Sequence, residues 1–168
     1  MTELIAPVTS LHAAFLDCHD EWGPGLHEDG FGLHAGDDVR SPEGFARWVR
    51  RVTRLAHPAG TPCPSATIQH STARWIVEDG RVLGGITLRH LLDVETGHIG
   101  YGLRASARRR GIGTWALGQI LKEAPATMSS VLCVAENTAS ARTIERNGGV
   151  PEPGSGPARR YWITLQAG

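Results

Sequence analysis

The chain has 168 residues and a mass of 18.0 kDa, and we expect one domain that covers residues 1–168. Its 17 lysines and arginines balance 17 aspartates and glutamates, which argues against partners bound by bulk charge, such as nucleic acid or an anionic membrane. Three scattered cysteines argue against a disulfide framework. With no expected membrane span or signal peptide, they favour a cytoplasmic protein.

The first part of the chain is typical of two helices separated by a long loop. Residues 10–22 place apolar side chains at helical spacing, with Ser10 as the expected N-cap. Residues 23–38 contain five glycines and break every periodic pattern, which predicts a long loop. Long loops in compact domains are often functional. Residues 41–43 form a Ser-Pro-Glu helix start. A linker with three prolines follows at residues 58–64.

The second part predicts strands and helices in alternation. The dipeptide Asp79-Gly80 between two β-rich segments predicts a hairpin. In chain order we expect strands at 72–78, 81–88 and 98–104, a helix at 112–124, a strand at 130–135, a helix at 138–147 and a strand at 160–165. Antiparallel strands come first and one β-α-β crossover comes late. The order predicts an α/β protein of the α+β type, with a mixed, mostly antiparallel sheet flanked by helices.

Residues 97–114 carry the chemical signal of the chain. A strand ends there, an Arg- and Gly-rich turn follows, and a helix begins. Glycines allow close backbone approach, and the first N–H groups of a helix have no partners within it. Three consecutive arginines, Arg108, Arg109 and Arg110, stand before Gly111 and Gly113. The arrangement predicts a backbone site for an anion such as a diphosphate.

Two other phosphate-binding motifs compete for this segment. Gly111, Gly113 and Ala116 match the dinucleotide fingerprint GxGxxA, and Glu136 follows at about the expected distance of roughly twenty residues. Residues 105–110 nevertheless separate the strand from the first glycine, and the chain offers only one β-α-β unit. A P-loop is excluded because no Gly-Lys-Ser/Thr follows the glycines.

The same segment closely resembles the pyrophosphate loop of the Gcn5-related N-acetyltransferase (GNAT) family. The family signature, Gln or Arg followed by two residues, Gly, one residue and Gly or Ala, is matched by residues 108–113. A second family motif, Asn-x-x-Ala/Ser, is matched at residues 137–140. The resemblance covers most of the chain, with residues 3–8 as the first strand.

The resemblance implies acetyl-coenzyme A (acetyl-CoA) as co-substrate, and no metal. Backbone groups of Tyr101 and Leu103 are expected to pair with the pantetheine arm and the acetyl carbonyl. The N–H groups of the loop are expected to bind the pyrophosphate, and Asn137 the pantetheine, with its own backbone capping the helix. The implied cofactor residues are Tyr101, Gly102, Leu103, Arg108, Arg109, Arg110, Gly111, Ile112, Gly113, Thr114, Asn137 and Ser140.

The resemblance is weaker for the catalytic groups. Family members often use a tyrosine seven residues after the motif asparagine as general acid, and this chain has Ile144 there. We therefore assign the acid role, if any group fills it, to Tyr161. His98 stands near the place of a family glutamate and is our candidate base, provided that a bulge turns it inward. The alternative for His98 is a structural hydrogen bond to a neighbouring strand.

The expected reaction is acetyl transfer to the primary amine of a small molecule. Glu28 and Asp29, in the loop between the first two helices, are candidates for binding a cationic acceptor. Two alternatives remain open, a protein or peptide N-acetyltransferase and a non-catalytic acyl-CoA sensor. A homodimer is one assembly that the family implies. The spacing of His27 and His34 fits no known metal-ligand set.

Overall fold

The computed structural model describes residues 1–23, 30–55, 70–93, 95–125, 127–135, 137–154, 156 and 158–165. The elements, in chain order, are β1 (Thr2–Ile5), α1 (His12–Glu21), α2 (Pro42–Arg54), β2 (Ser71–Glu78), β3 (Arg81–Arg89), β4 (Ile99–Leu103), α3 (Ile112–Ile120), β5 (Ser130–Ala135), α4 (Thr138–Glu145), β6 (Val150–Pro151) and β7 (Arg159–Thr164). Within the described ranges no helix is long and apolar enough to cross a bilayer.

The strands form two antiparallel sheets, and the predicted α+β class is confirmed. The first sheet has the order β1-β2-β3-β4, and the second has the order β5-β7-β6. The hairpin between β2 and β3 turns at Asp79 and Gly80, which have φ angles of 50° and 77°. Positive φ at both positions is what a two-residue type I′ turn needs, so the Asp-Gly signal predicted this turn correctly.

The two sheets meet at the beginning of β4 and then separate. An isolated bridge joins Gly97 to Cys133, and the His98 N–H donates to the Leu132 carbonyl at 2.8 Å. Gly97 has a φ of 73°, and a Cβ on it would lie 2.6 Å from the Leu132 oxygen. Only glycine fits this contact. Beyond it, β4 is the last strand of its sheet and has an open edge.

The first sheet packs against a hydrophobic core on each of its two faces. Helices α1 and α2 pack an aromatic cluster on one face of the first sheet, where the Phe15 ring lies 4.8 Å from Trp48 and 5.6 Å from Trp75. Helices α3 and α4 contribute to a second core with β3 and the second sheet, which includes Leu117, Ile120 and Ile144. The open edge of β4 therefore lies beside the core that holds α3 and α4.

Several predicted boundaries differ from the observed ones. A 3₁₀ turn at Thr9–Leu11 precedes α1, and no side chain caps that helix, so the prediction of Ser10 as N-cap was wrong. Helix α3 ends at Ile120 and continues as a 3₁₀ turn to Glu123 instead of running to residue 124. The linker predicted at residues 58–64 lies outside the described residues.

Arg104 fixes the end of α1 to the turn that follows β4. Its side chain is buried, with Nη1 2.7 Å from Asp17 Oδ2 and Nε 2.5 Å from Glu21 Oε2. Glu21 also accepts the backbone N–H of Ser106 at 2.7 Å. Because a hydrogen bond to a charged group contributes more than a neutral one, this network holds the start of the Arg-rich turn in place.

We predict that Arg104→Met lowers the melting temperature by about 3–12 °C. Hydrogen bonds to charged groups contribute roughly 1.5–3 kcal/mol, and 1 kcal/mol corresponds to about 2–4 °C in a domain of this size. Thermal unfolding followed by circular dichroism measures the shift. The control is Arg40→Met, which removes an exposed pair with Asp20 and should change little. Equal shifts in both variants would contradict a special role for Arg104.

Candidate active site

A cleft of about 860 Å³ opens between β4, the start of α3 and one face of α4. Its volume lies within the range of ligand sites in proteins, roughly 300–1,000 Å³. The structure brings eleven of the twelve residues that the sequence assigned to the cofactor to this cleft: Tyr101, Gly102, Leu103, Arg108, Arg109, Gly111, Ile112, Gly113, Thr114, Asn137 and Ser140.

The backbone of β4 presents unpaired hydrogen-bonding groups to the cleft. His98 accepts from the Arg89 N–H and Arg104 donates to the Leu83 carbonyl, so the even-numbered residues of this segment pair with β3. In an antiparallel ladder the alternate residues point their N–H and C=O groups the other way. Ile99, Tyr101 and Leu103 therefore direct theirs to the open edge. The Leu103 carbonyl accepts from Arg108 Nε at 2.9 Å, which leaves its N–H at that edge.

The turn before α3 forms a concave set of backbone donors. Arg109 and Gly111 both have left-handed φ angles, of 60° and 79°. The first backbone hydrogen bond of the helix runs from the Trp115 N–H to the Gly111 carbonyl at 3.0 Å, so the N–H groups of the first turn are not used within the helix. The helix dipole adds partial positive charge here. This geometry suits an anion, as the sequence predicted.

Arginine side chains surround the cleft, but not all those that were predicted. Arg108 and Arg109 line it, as do Arg142 and Arg146 of α4. Arg110 does not, because its guanidinium lies 2.7 Å from the Glu78 carboxylate at the end of β2. Its assignment to the cofactor site is not supported by this placement.

Helix α4 forms the opposite wall of the cleft. Asn137 Oδ1 accepts the Ser140 N–H at 2.9 Å and its backbone carbonyl accepts the Ala141 N–H at 3.0 Å, so the asparagine caps the helix with its side chain as well as its backbone. Its amide nitrogen is not used in the cap. One helical face, with Ala139, Arg142, Thr143 and Arg146, completes the wall. The sequence analysis missed these residues, because their i, i+3, i+4, i+7 spacing from position 139 defines one helical face but does not show that this face meets a ligand.

Tyr101 is the one tyrosine among the described residues that line the cleft. Its hydroxyl reaches across from β4 to α4 and donates to Ser140 Oγ at 3.2 Å, with the Ser140 carbonyl at 3.5 Å. Burial raises the pKa of Tyr101, so the phenol is protonated at neutral pH.

His98 does not line the cleft, and its ring is used in the structure. The residue is 7% exposed, and Nδ1 accepts the Leu132 N–H at 2.8 Å. The register between β3 and β4 is continuous, so the bulge that the base role needed is absent and that expectation was wrong. The structural alternative for His98 describes the observed contacts.

Burial, with the positive charge of Arg89, lowers the pKa of His98. A proton on Nδ1 would also displace the Leu132 N–H, which then would have no acceptor in the interior. The neutral ring therefore holds together the point at which the two sheets meet.

The other tyrosine, Tyr161, lies away from the cleft on β7. It is buried, and its hydroxyl lies 3.0 Å from Glu145 Oε1. Burial and this carboxylate raise the pKa of Tyr161. Ile144, at the family's tyrosine position, is fully buried in the core with Tyr161. Neither side chain is among the described residues that line the cleft, so Tyr161 lacks the position that an acid needs.

A second cavity of about 310 Å³ lies on the other face of β3. Thr87 lines it, and the Thr87 hydroxyl donates to the Gly30 carbonyl at 2.7 Å. Thr87 pairs directly with Gly100 of β4, so both belong to the face that meets segment 30–34, the described end of the long loop.

The loop residues predicted to bind the acceptor, Glu28 and Asp29, lie outside the described residues, as does His27. In the described part no group of three or more His, Cys, Asp or Glu side chains could hold a metal.

The position of His98 leads to a prediction about pH and stability. A histidine with a lowered pKa in the folded state stabilises the protein fully above its unfolded pKa of about 6.5, and this stability is lost as the pH falls toward the folded pKa. We expect the unfolding free energy of the wild type to fall between pH 7.5 and pH 5. In His98→Asn, whose amide oxygen can still accept, the fall should be smaller.

Chemical denaturation at several pH values measures both proteins, and the remaining histidines are common to the two. If the variant lost as much stability on acidification as the wild type, the buried neutral His98 would not be the titrating group. If His98→Asn removed the acidic limb of a pH–rate profile, the base role would regain support.

Comparisons with known proteins agree with this geometry. The family model of the acetyltransferase (GNAT) domain matches residues 22–150. Among solved structures, RimL, a ribosomal L7/L12 alpha-N-protein acetyltransferase in complex with coenzyme A, superposes with a TM-score of 0.64 at 18% identity and covers 99% of this chain and 96% of its own. Comparison with curated protein sequences gave no significant match.

Two further structures share the fold. RimJ of Mycobacterium smegmatis, in complex with CoA-disulfide, has a TM-score of 0.66 at 15% identity, with 97% of this chain and 81% of its own covered. The Salmonella typhimurium enzyme that modifies the N-terminal serine of L7/L12 has a TM-score of 0.61 at 16% identity. The match covers 98% of this chain and 95% of the Salmonella chain. Since the family model spans well over half of the sequence, this chain belongs to the GNAT acetyltransferase family.

Proposed function

We propose that this protein is an acetyl-CoA-dependent N-acetyltransferase that acts on the primary amine of a small molecule. The observation that carries the proposal is the pairing of an open strand edge with a helix N-terminus on one cleft. The edge of β4 offers backbone partners to an extended pantetheine arm, and the turn before α3 offers N–H groups to a diphosphate.

The residues that line the cleft fit acetyl-CoA in chemistry as well as in shape. Four positive side chains line the cleft and suit a phosphate-rich ligand: Arg108, Arg109, Arg142 and Arg146. The open edge at Tyr101 would hold the pantetheine amides, with the Asn137 amide opposite. When bound, acetyl-CoA supplies the activated acetyl thioester. The N–H of Leu103, at the same edge, is in place to polarise an acetyl carbonyl.

Because His98 does not line the cleft, another group must take the proton of the substrate amine. Glu95 is the sole carboxylate among the described residues that line the cleft, and it precedes β4. A carboxylate there can hold an ammonium group and take its proton directly or through water. Glu95 therefore replaces His98 as our candidate for this role.

The second cavity supports a small acceptor. Its volume of about 310 Å³ is near the lower end of ligand sites, and Asp93 in its lining stands two residues before Glu95 of the cofactor cleft. A protein α-amine is the second candidate acceptor, because RimL and RimJ are among the structural neighbours. Thiol release measured with amino acids, polyamines, aminoglycosides and short peptides discriminates the two. Turnover with peptides alone would overturn the small-molecule proposal.

We predict that acetyl-CoA raises the melting temperature by about 5–10 °C at 100 times its dissociation constant. Such saturation contributes roughly 2.7 kcal/mol, and 1 kcal/mol corresponds to about 2–4 °C. Differential scanning fluorimetry measures the shift, with NAD as the control ligand. A shift with NAD alone would restore the dinucleotide interpretation of Gly111 and Gly113. Binding of acetyl-CoA without turnover on any amine would favour the sensor.

We predict that Gly111→Val weakens acetyl-CoA binding at least about tenfold. The φ of 79° at Gly111 is unfavourable for a branched side chain, so the turn must rearrange and lose the alignment of its N–H groups. Gly154→Val is the matched control, because Gly154 has a φ of 77° and equally open surroundings away from the cleft. Calorimetric titration gives both affinities. Similar losses in the two variants would point to general strain instead of a specific binding role.

A further inference from the structure

The hydroxyl of Tyr101 is the feature of the cleft that the binding role leaves unexplained. We infer that Tyr101 is the proton donor to the departing sulfur, in place of the tyrosine that family members carry at the position of Ile144. The inference rests on the proposed acetyltransferase function and names a catalytic group for it.

Strand geometry places the Tyr101 side chain on the right face. The register of β3 and β4 is unbroken, so Ile99, Tyr101 and Leu103 share one face and His98, Gly100 and Gly102 share the other. The first face meets the core of α3 and α4, where the Tyr101 ring packs. A phenol on β4 therefore reaches α4 from the opposite wall. Ile144, at the family's tyrosine position, lies on α4 itself.

Tyr101 carries the binding edge and the acid in one residue. Its backbone N–H and C=O lie at the open edge that would pair with the pantetheine arm, next to the thioester. Its side chain extends along the cleft and is held by Ser140 Oγ at 3.2 Å. Fixing the hydroxyl in this way lowers the entropy cost of aligning it with the reacting atoms.

Elimination supports the same residue. The ionisable side chains among the described residues that line the cleft are one carboxylate, four guanidinium groups and this phenol. The carboxylate, Glu95, is our candidate to accept the proton of the amine, and arginine does not release its proton. The phenol, with a reference pKa of about 10 that burial raises further, keeps its proton at neutral pH and can pass it to sulfur as the acylated nitrogen returns one.

The proton balance closes without another reactant. The bond between the acetyl carbon and sulfur breaks as the bond to the amine nitrogen forms. Sulfur takes the electron pair and the phenol proton, and the phenolate oxygen takes one proton from the acylated nitrogen. The return proton is needed because a phenol, with a pKa of about 10, is a weaker acid than a thiol, with a pKa of about 8.5. A phenolate left without that proton would take one back from the thiol.

The matched variants are Tyr101→Phe and Tyr161→Phe, since the chain has two tyrosines and each change removes one hydroxyl. We expect Tyr101→Phe to lower kcat about 10²- to 10⁴-fold with little change in the KM for acetyl-CoA. Tyr161→Phe should alter stability through the lost Glu145 contact and leave kcat within a few fold. A loss below about tenfold in Tyr101→Phe, or the larger loss in Tyr161→Phe, would overturn the inference.

A binding measurement gives a readout that does not depend on turnover. Calorimetry compares coenzyme A with desulfo-coenzyme A, in which hydrogen replaces the thiol. The wild type should prefer coenzyme A about two- to tenfold, as expected for one hydrogen bond to sulfur, and Tyr101→Phe should lose that preference while it retains affinity for the desulfo analogue. An unchanged preference in the variant would overturn the inference alone. Failure of the wild type to bind coenzyme A would overturn the proposed function and this inference together.

Discussion

The cleft of this protein depends on the point at which its two sheets stop pairing. Gly97 and His98 join the first sheet to β5. Gly97 forms a bridge with Cys133, the His98 N–H donates to the Leu132 carbonyl, and His98 Nδ1 accepts the Leu132 N–H. If pairing continued beyond this point, the N–H and C=O groups of β4 would be used within the protein. Because it stops there, the same groups form one wall of a ligand site. A buried histidine that sequence reasoning took for a base is a structural part of this junction.

Strand β4 is a thin wall with different tasks on its two faces. One face carries Gly100 and Gly102, and the neighbouring β3 face carries Gly85. There a Cβ would lie 2.6 Å from the Phe31 ring, so segment 30–34 packs directly on the backbone. The other face carries Tyr101 toward α4. Direct transfer needs the reacting atoms within about 3–3.5 Å of each other, so an acceptor on the first side must extend its amine past β4 to reach a cofactor on the second.

Sequence patterns predicted the local parts of the site well. The signature at residues 108–113 and the Asn-x-x-Ala/Ser motif predicted the loop and the cap, because turn and capping chemistry is decided within a few residues. The roles of His98 and Tyr161 could not be predicted in this way. Each side chain contacts a residue of another element, Leu132 for His98 and Glu145 for Tyr161, and no local pattern reveals such a partner. Arg142 and Arg146 were missed because helical spacing alone does not say which face meets a ligand.

The arrangement of charge has a kinetic consequence. The chain as a whole is formally neutral, yet Arg108, Arg109, Arg142 and Arg146 gather around one cleft whose described lining includes a single carboxylate. An anionic ligand is therefore drawn to this opening by a local field, even though the protein has no net attraction for it at long range. Such steering acts over about one Debye length, roughly 8 Å at physiological ionic strength. Added salt would consequently slow ligand capture, while release, which depends on the backbone contacts of β4 and α3, would change far less.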